Sequence, residues 1–114
     1  MPSKISIAVL GLGYVGLPLM LALKKKFPVI GFDTSIKRIK ELKKGIDNTN
    51  ESKLSDLKKS ADSFTSSISK IKNCNVFIVT VPTPIKKNKV PDLKHIKSAC
   101  VLIGKILKKN DLVI

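Results

Sequence analysis

A glycine-rich turn is the part of this sequence whose residue types and spacing point most directly to chemistry. Gly11, Gly13 and Gly16 form a G-x-G-x-x-G pattern directly behind the apolar run 5–10. Gly11 permits a tight turn, Gly13 leaves its backbone open to a pyrophosphate, and Gly16 lets the next helix pack closely against a sheet. The helix N-terminus then binds the anion through its N–H groups and dipole. The pattern predicts a dinucleotide site, and a turn used only for packing is the alternative.

Asp33 is the acidic residue that such a site requires. It stands 17 residues after Gly16, where a carboxylate accepts hydrogen bonds from the adenosine ribose hydroxyls. A 2′-phosphate would meet its negative charge, so Asp33 favours NAD over NADP. The neighbouring Lys37 and Arg38 argue the reverse, but a carboxylate directly on the ribose should outweigh them. Capping of the helix that begins near Ser35 is the alternative role for Asp33.

A proline-rich loop follows the most apolar segment of the chain, 76–81. In a sheet ordered 3-2-1-4-5, the first and fourth strands flank the switch point where ligands bind. The loop Pro82-Thr83-Pro84 therefore lies where it can line a cofactor crevice, with the Thr83 hydroxyl as the polar contact. A stiff surface loop without a ligand is the alternative.

The other residues with reactive side chains carry weaker signals. His95, the only histidine, is expected on a helix surface. Cys74 and Cys100 lack metal or redox spacing, and we expect them to be buried or half-buried thiols in a reducing compartment. The sequence predicts no metal site and no catalytic residue within these 114 residues.

The charge of the chain suggests an anionic partner, but its make-up weakens that suggestion. The formal net charge is +14, and Arg38 is the only arginine among 22 basic residues. Nucleic-acid-binding proteins favour arginine for its bidentate fork, so we expect solvated lysines and no nucleic-acid partner. No apolar stretch approaches the ~20 residues of a membrane span. The sequence therefore predicts a soluble, cytoplasmic protein without a membrane partner.

Apolar runs alternate with amphipathic segments along the whole chain. Strands are predicted at 4–10, 28–33, 64–66, 76–81 and from 112 onwards, and helical segments at 14–26, 35–44, within 50–60, at 67–72 and at 92–107. The predicted buried helix faces comprise Ile36, Ile39 and Leu42 in one helix and Leu93, Ile96, Cys100, Ile103 and Leu107 in another. This alternation predicts an α/β fold, a Rossmann-like doubly wound parallel sheet ordered 3-2-1-4-5 and truncated at its fifth strand.

The order of several segments resembles a known enzyme family. Gly-Leu-Gly-Tyr-Val-Gly-Leu-Pro at 11–18, Gly-Phe-Asp at 31–33 and Val-Pro-Thr-Pro-Ile at 81–85 follow one another as in the UDP-glucose/GDP-mannose dehydrogenase family. Arg38 and the segment 45–51 fit the same pattern. Segments 74–81 and 91–93 resemble the branch that acts on UDP-N-acetylhexosamines.

The resemblance implies a role for the chain as a whole. Residues 1–114 would be the NAD-binding domain of a longer enzyme that oxidises a sugar C6 hydroxyl to a carboxylate with two NAD, for polysaccharide precursors. A cysteine in a segment beyond residue 114 would capture the aldehyde, so this chain alone would be inactive. The full-length enzyme would be a homo-oligomer that binds a nucleotide sugar. A stand-alone nucleotide-binding or regulatory module and a basic nucleic-acid-binding protein are the alternatives.

The resemblance also implies roles for individual residues. By matching position, Gly11, Gly13, Tyr14, Val15 and Gly16 would line the pyrophosphate of NAD. Asp33 and Arg38 would hold the adenosine ribose, and Thr83 would lie beside the cofactor.

Overall fold

The computed structural model describes residues 4–46, 57, 59–82 and 84–114. Five parallel strands form one sheet in the order β3-β2-β1-β4-β5. The strands are β1 Ile7–Leu10, β2 Val29–Phe32, β3 Phe64–Thr65, β4 Val76–Val79 and β5 Leu112–Val113. The α-helices whose bounds lie wholly within the described residues are α1 Gly16–Leu23, α2 Ile36–Lys43 and α3 Lys94–Gly104. The predicted α/β class and strand order are confirmed.

Helices cover both faces of the sheet because the side chains of the central strand alternate between two cores. Ile7 and Val9 of β1 face a cluster that includes residues of α1 and α2. Ala8 and Leu10 face the opposite cluster, which contains Ile103 of α3. All four side chains are buried, as expected for a central parallel strand. This is the doubly wound arrangement that the alternating sequence predicts.

The ends of α2 follow directly from the local sequence. The Ser35 hydroxyl accepts a hydrogen bond from the N–H of Arg38 at 3.1 Å and so caps the N-terminus. At the other end Gly45 has φ +86°, and its N–H donates to the carbonyl of Leu42. The N–H of Ile46 donates to the carbonyl of Glu41, which completes a Schellman motif. Gly45 thus ends the helix, as its position predicts.

Two short 3₁₀ helices flank the edge strand β3. They comprise Ala61–Ser63 and Ile68–Lys70, and the second confirms the short helical segment expected at 67–72. The helix predicted within 50–60 lies almost entirely outside the described residues.

The predicted buried faces of two helices are wrong in part. Ile39 and Leu42 are buried, but Ile36 is 60% exposed because it begins α2 before the helix reaches the core. In α3 the buried residues are Ala99 and Ile103, flanked by Leu102 and Ile106.

Most of the residues predicted for the buried face of α3 are not buried. Leu93, Cys100 and Leu107 are exposed. The helix has two overlapping apolar stripes, and packing against the sheet selects the one that contains the small Ala99. Apolarity alone does not distinguish the two stripes.

Candidate functional site

Sheet register brings the ends of three strands to one level. Leu10 of β1 pairs with Phe32 of β2 and with Val79 of β4. Gly11, Asp33 and Thr80 directly follow these three residues, so they meet at the carboxyl edge of the sheet. β1 and β4 flank the point where the strand order reverses, which is where open α/β sheets bind ligands.

Gly11 and Gly16 are required by the geometry of the turn itself. Gly11 has φ +102°, a conformation that residues with a side chain rarely adopt. A Cβ added at Gly11 would lie 2.9 Å from the backbone of Thr80. A Cβ added at Gly16 would lie 1.7 Å from the carbonyl oxygen of Gly11. The first residue of α1 therefore packs directly against the beginning of the turn.

Gly13 has different surroundings from the other two glycines of the motif. A Cβ added at Gly13 would meet no heavy atom within 4 Å, and the residue is exposed. The absence of a side chain at this position leaves open space at the mouth of the turn. That space is what the sequence pattern predicts for the approach of a pyrophosphate.

The N-terminus of α1 is suited to an anion. Val15 is its N-cap residue and supplies no side-chain cap. Within the described part of the chain, no acceptor contacts the N–H groups of Gly13, Tyr14 and Val15. Pro18 lies in the first turn of the helix, where its missing N–H costs no hydrogen bond. These N–H groups and the helix dipole together favour a phosphate group.

The carboxylate of Asp33 joins the turn to the start of α2. Its Oδ2 accepts from the N–H of Leu12 at 3.0 Å, and its Oδ1 accepts from the N–H of Ser35 at 2.9 Å. The capping alternative for Asp33 is thus partly right, although the side-chain cap of α2 is Ser35 itself. A carboxylate has about four acceptor positions, so both oxygens retain a lone pair for ribose hydroxyls.

Arg38 is held by the same turn. Its Nε and Nη2 donate to the carbonyl oxygen of Leu12 at 2.9 and 2.7 Å. The Leu12 peptide is therefore held at its N–H by Asp33 and at its carbonyl by Arg38. The Nε and Nη2 side of the guanidinium therefore faces the turn.

A cleft of about 490 Å³ opens beside the turn. Of the predicted site residues, Gly11, Gly13, Asp33 and Arg38 line it. Tyr14 and Val15 are exposed at the N-terminus of α1 but do not line the cleft, and Gly16 is buried. Thr83 lies outside the described residues, and its neighbours Val81 and Pro82 line the cleft.

Sequence reasoning missed the contribution of α3 to this cleft. The lining residues from this helix are His95, Ser98, Ala99 and Leu102. His95 is exposed, as predicted, yet its position on the cleft was not foreseen. The helix that follows β4 in a doubly wound sheet begins near the carboxyl edge, and that topological signal could have identified these residues.

Thr80 is a second residue that sequence reasoning missed. Its hydroxyl lies 2.7 Å from the carbonyl oxygen of Gly11 and 3.1 Å from that of Leu10, and donates to them. Thr80 follows the last residue of β4, so its position one residue past the strand was the available signal.

The cysteines lie away from the cleft. Cys74 is buried, and burial raises the pKa of its thiol, which the hydrogen bond from the Ser6 hydroxyl only partly offsets. Cys100 is exposed on α3, which corrects the expectation that both thiols are at least half-buried. The residues described include no group of three or more His, Cys, Asp or Glu side chains placed to hold a metal ion.

Comparison with known proteins identifies the family. The model of the UDP-glucose/GDP-mannose dehydrogenase family, NAD binding domain, matches residues 5–114. The chain belongs to this family. NAD is therefore the cofactor of the domain, and the resemblance noted in the sequence is confirmed.

Relatives within the UDP-glucose/GDP-mannose dehydrogenase family are similar over nearly the whole chain. UDP-N-acetyl-D-glucosamine 6-dehydrogenase from Pseudomonas aeruginosa is 51% identical over 96% of this chain. The enzyme of the same name from Salmonella typhi is 46% identical over 97% of it. The chain spans about a quarter of the length of these relatives, 26% in each case.

The solved structures of family members share the fold described above. The UDP-D-ManNAc dehydrogenase from Pyrococcus horikoshii aligns with a TM-score of 0.82 at 28% identity, over 96% of this chain and 27% of that one. A ternary complex of GDP-mannose dehydrogenase from Pseudomonas aeruginosa aligns with a TM-score of 0.78 at 32% identity, over 88% and 24%. Among the residues described, no helix is both long and apolar enough to cross a membrane.

Proposed function

We propose that this chain is the NAD-binding part of a UDP-N-acetylhexosamine 6-dehydrogenase and that NAD binds in the cleft beside the glycine turn. One observation carries the proposal: the open N-terminus of α1 and the Asp33 carboxylate lie at the same edge of the sheet. A phosphate site and a ribose site are thus next to each other. A dinucleotide is the ligand class that needs both.

The glycine turn would hold the pyrophosphate. The N–H groups of Gly13, Tyr14 and Val15 supply hydrogen-bond donors without a basic side chain. The open space at Gly13 supports close approach of the phosphate oxygens. Gly11 and Gly16 act through the shape of the turn. This proposal assigns the five residues 11, 13, 14, 15 and 16 to the pyrophosphate, as the family resemblance implies.

Asp33 and Arg38 would serve the adenosine ribose in different ways. Asp33 would accept hydrogen bonds from the two ribose hydroxyls through the lone pairs that Leu12 and Ser35 leave available. Arg38 would act through the Leu12 peptide, whose carbonyl it holds beside the Asp33 carboxylate. A 2′-phosphate would meet the Asp33 carboxylate first, which supports NAD rather than NADP.

The remaining cofactor contacts come from the β4–α3 side. Thr83 would lie beside the cofactor, since its neighbours Val81 and Pro82 line the cleft. Phe32, Ala99 and Leu102 give the cleft apolar walls, which suit an adenine ring. Bound NAD supplies the hydride acceptor for alcohol oxidation, and the role of this chain is to bind and orient it.

The names of the relatives support a proposal for the substrate. Two relatives, 51% and 46% identical, are named UDP-N-acetyl-D-glucosamine 6-dehydrogenases, so we propose a UDP-N-acetylhexosamine as the sugar nucleotide. The catalytic cysteine and the sugar site would lie in segments outside these 114 residues. We further propose that the full-length enzyme is a homo-oligomer and that it acts in the cytoplasm, where NAD and nucleotide sugars are available.

NADH formation tests this proposal. The 114 residues alone should bind NAD but form no NADH with UDP-N-acetylglucosamine, because the sugar site that would hold the C6 hydroxyl beside NAD is proposed to lie outside them. A polypeptide with this domain followed by the rest of a family enzyme should form about two NADH per sugar, one for each oxidation step. Turnover by the 114 residues alone would overturn the proposal. NAD binding without turnover by the longer polypeptide would favour a regulatory module instead.

A further inference from the structure

Thr80 is a polar residue of the site region for which the account above has no role. It lies at the carboxyl end of β4, across the switch point from the glycine turn. Its hydroxyl donates to the carbonyl oxygen of Gly11 at 2.7 Å and lies 3.1 Å from that of Leu10. The N–H of Thr80 also donates to the Leu10 carbonyl at 2.8 Å. Thr80 is thus hydrogen-bonded to the end of β1 by its backbone and to the first residue of the turn by its side chain.

The Gly11 carbonyl that receives this hydrogen bond is in a critical position. It lies so close to Gly16 that a Cβ there would be 1.7 Å away, and the same Cβ would be 2.5 Å from the Thr80 hydroxyl oxygen. The carbonyl, the hydroxyl and the first residue of α1 therefore form one contact. A carbonyl oxygen carries partial negative charge, and this one lies at the helix end where the anion would bind.

We propose that Thr80 is a positioning residue for the pyrophosphate. Its hydroxyl fixes the direction of the Gly11 carbonyl and offsets the negative charge of that oxygen, so that the N–H groups of α1 face the phosphates. The inference rests on the proposed function, since it presumes that the turn binds a dinucleotide. It predicts that Thr80 affects phosphate-containing ligands and leaves the adenosine part of the site unchanged.

Two substitutions isolate the hydroxyl. Thr80→Ser and Thr80→Ala both remove the γ-methyl, and they differ only in the hydroxyl group. Thr80→Val is less suitable because its methyl would take the place of an oxygen that lies 2.7 Å from the Gly11 carbonyl. Thr65→Ser and Thr65→Ala are the matched controls. Thr65 is a half-buried threonine of β3, its hydroxyl accepts from the N–H of Ser67, and it does not line the cleft.

The measurement is the affinity of the 114-residue chain for ADP, NAD and adenosine, by calorimetry or NMR titration. Thr80→Ala should weaken ADP and NAD binding about tenfold, the loss expected for an oriented hydrogen bond. Thr80→Ser should stay within about twofold of the wild type, and neither variant should change adenosine binding by more than about twofold. The Thr65 variants should leave the ratio of ADP to adenosine affinity unchanged.

The possible failures can be told apart. If the wild type binds NAD and Thr80→Ala keeps its ADP-to-adenosine ratio, the positioning role is wrong and the proposed function stands. Equal weakening of ADP and adenosine by Thr80→Ala would indicate general disruption and would also overturn the role. If the wild type binds neither NAD nor ADP, the proposed function fails and the Thr80 inference fails with it. Should Thr80→Ala not fold, Thr80→Cys takes its place in the comparison with Thr80→Ser, because a thiol is a much weaker hydrogen-bond donor than a hydroxyl.

Discussion

Gly13 and Gly16 belong to one turn but have opposite requirements. A side chain at Gly16 would collide with the backbone of Gly11, whereas a side chain at Gly13 would meet no atom of the described chain within 4 Å. Gly16 is therefore required by the fold, whereas the missing side chain at Gly13 leaves room for a ligand. The motif in the sequence predicts the same division, with close helix packing at Gly16 and the approach of a pyrophosphate at Gly13.

Substitution of each glycine by alanine tests this difference. Gly16→Ala should lower the free energy of unfolding by about 1–3 kcal/mol or more, because the turn must shift to admit the methyl group. Gly13→Ala should leave the free energy of unfolding within about 0.5 kcal/mol of the wild type. It should nevertheless weaken NAD binding at least tenfold, since its methyl would occupy the approach to the helix N-terminus. Urea unfolding and calorimetric titration measure the two effects. Normal NAD affinity in Gly13→Ala would contradict the proposed pyrophosphate position.

Asp33 carries the preference for the unphosphorylated ribose. Asp33→Asn removes the charge that repels a 2′-phosphate and weakens the acceptor for the ribose hydroxyls. NAD affinity should fall about tenfold, in keeping with the ~1.5–3 kcal/mol of a charged hydrogen bond, while NADP affinity should fall less or rise. Titrations with both cofactors measure the ratio, with Asp62→Asn at an exposed position as the control. An unchanged ratio in Asp33→Asn would remove Asp33 from the ribose site.

At the scale of the elements, a lysine joins the chain after α3 to the starts of β4 and β5. The ammonium of Lys108 donates to the carbonyls of Lys72 and Cys74 at 2.7 and 3.0 Å and forms an ion pair with Asp111 at 3.0 Å. The Asp111 side chain is only 4% exposed. Burial by itself raises the pKa of Asp111, but the hydrogen bonds from the backbone and side chain of Lys108, aided by its charge, lower it overall.

This pair predicts a pH-dependent contribution to stability. Because the folded-state pKa of Asp111 lies below its ordinary value of about 4, the stabilisation is fully present above that pH. It is lost as the pH falls through the lowered pKa. Asp111→Asn should cost about 1 kcal/mol at pH 7, since Lys108 is half exposed and partly screened.

Urea unfolding at pH 7, 5 and 3 measures this effect. The difference between the wild type and Asp111→Asn should be similar at pH 7 and pH 5 and smaller at pH 3, while the exposed Asp62→Asn control shows little difference at any pH. A difference that stays constant down to pH 3 would contradict the ion pair.

The elements also show what sequence could predict and why the rest escaped it. β1 and β4 are apolar on both faces, which predicts that they lie in the middle of the sheet. The glycine motif after β1 and Asp33 after β2 indicate a doubly wound fold, so the strand order could be predicted from the sequence. The buried face of α3 did not follow, because two apolar stripes overlap and packing selects the one with Ala99. The topology indicates that Thr80 and His95 lie near the carboxyl edge of the sheet, but the contacts of Thr80 with the turn and the place of His95 on the cleft depend on packing across that edge.

For the molecule as a whole, the net charge of +14 opposes the proposed preference for NAD over NADP. A strongly basic protein attracts anions through its general field, and that attraction grows with ligand charge. NADP carries more negative charge than NAD. The general field alone would therefore favour NADP, and only a specific carboxylate at the ribose can reverse that order.

The preference of the proposed ribose site for NAD is tested by the affinity of the 114-residue chain for NAD and NADP. The titrations use about 150 mM salt, where surface charges are screened beyond ~8 Å. Calorimetric titration should show one site per chain and NAD binding at least tenfold tighter than NADP. Saturation with NAD should also raise the melting temperature, since about 100-fold excess over Kd adds about 2.7 kcal/mol to stability. NADP binding as tight as NAD, or no binding of NAD, would contradict the account.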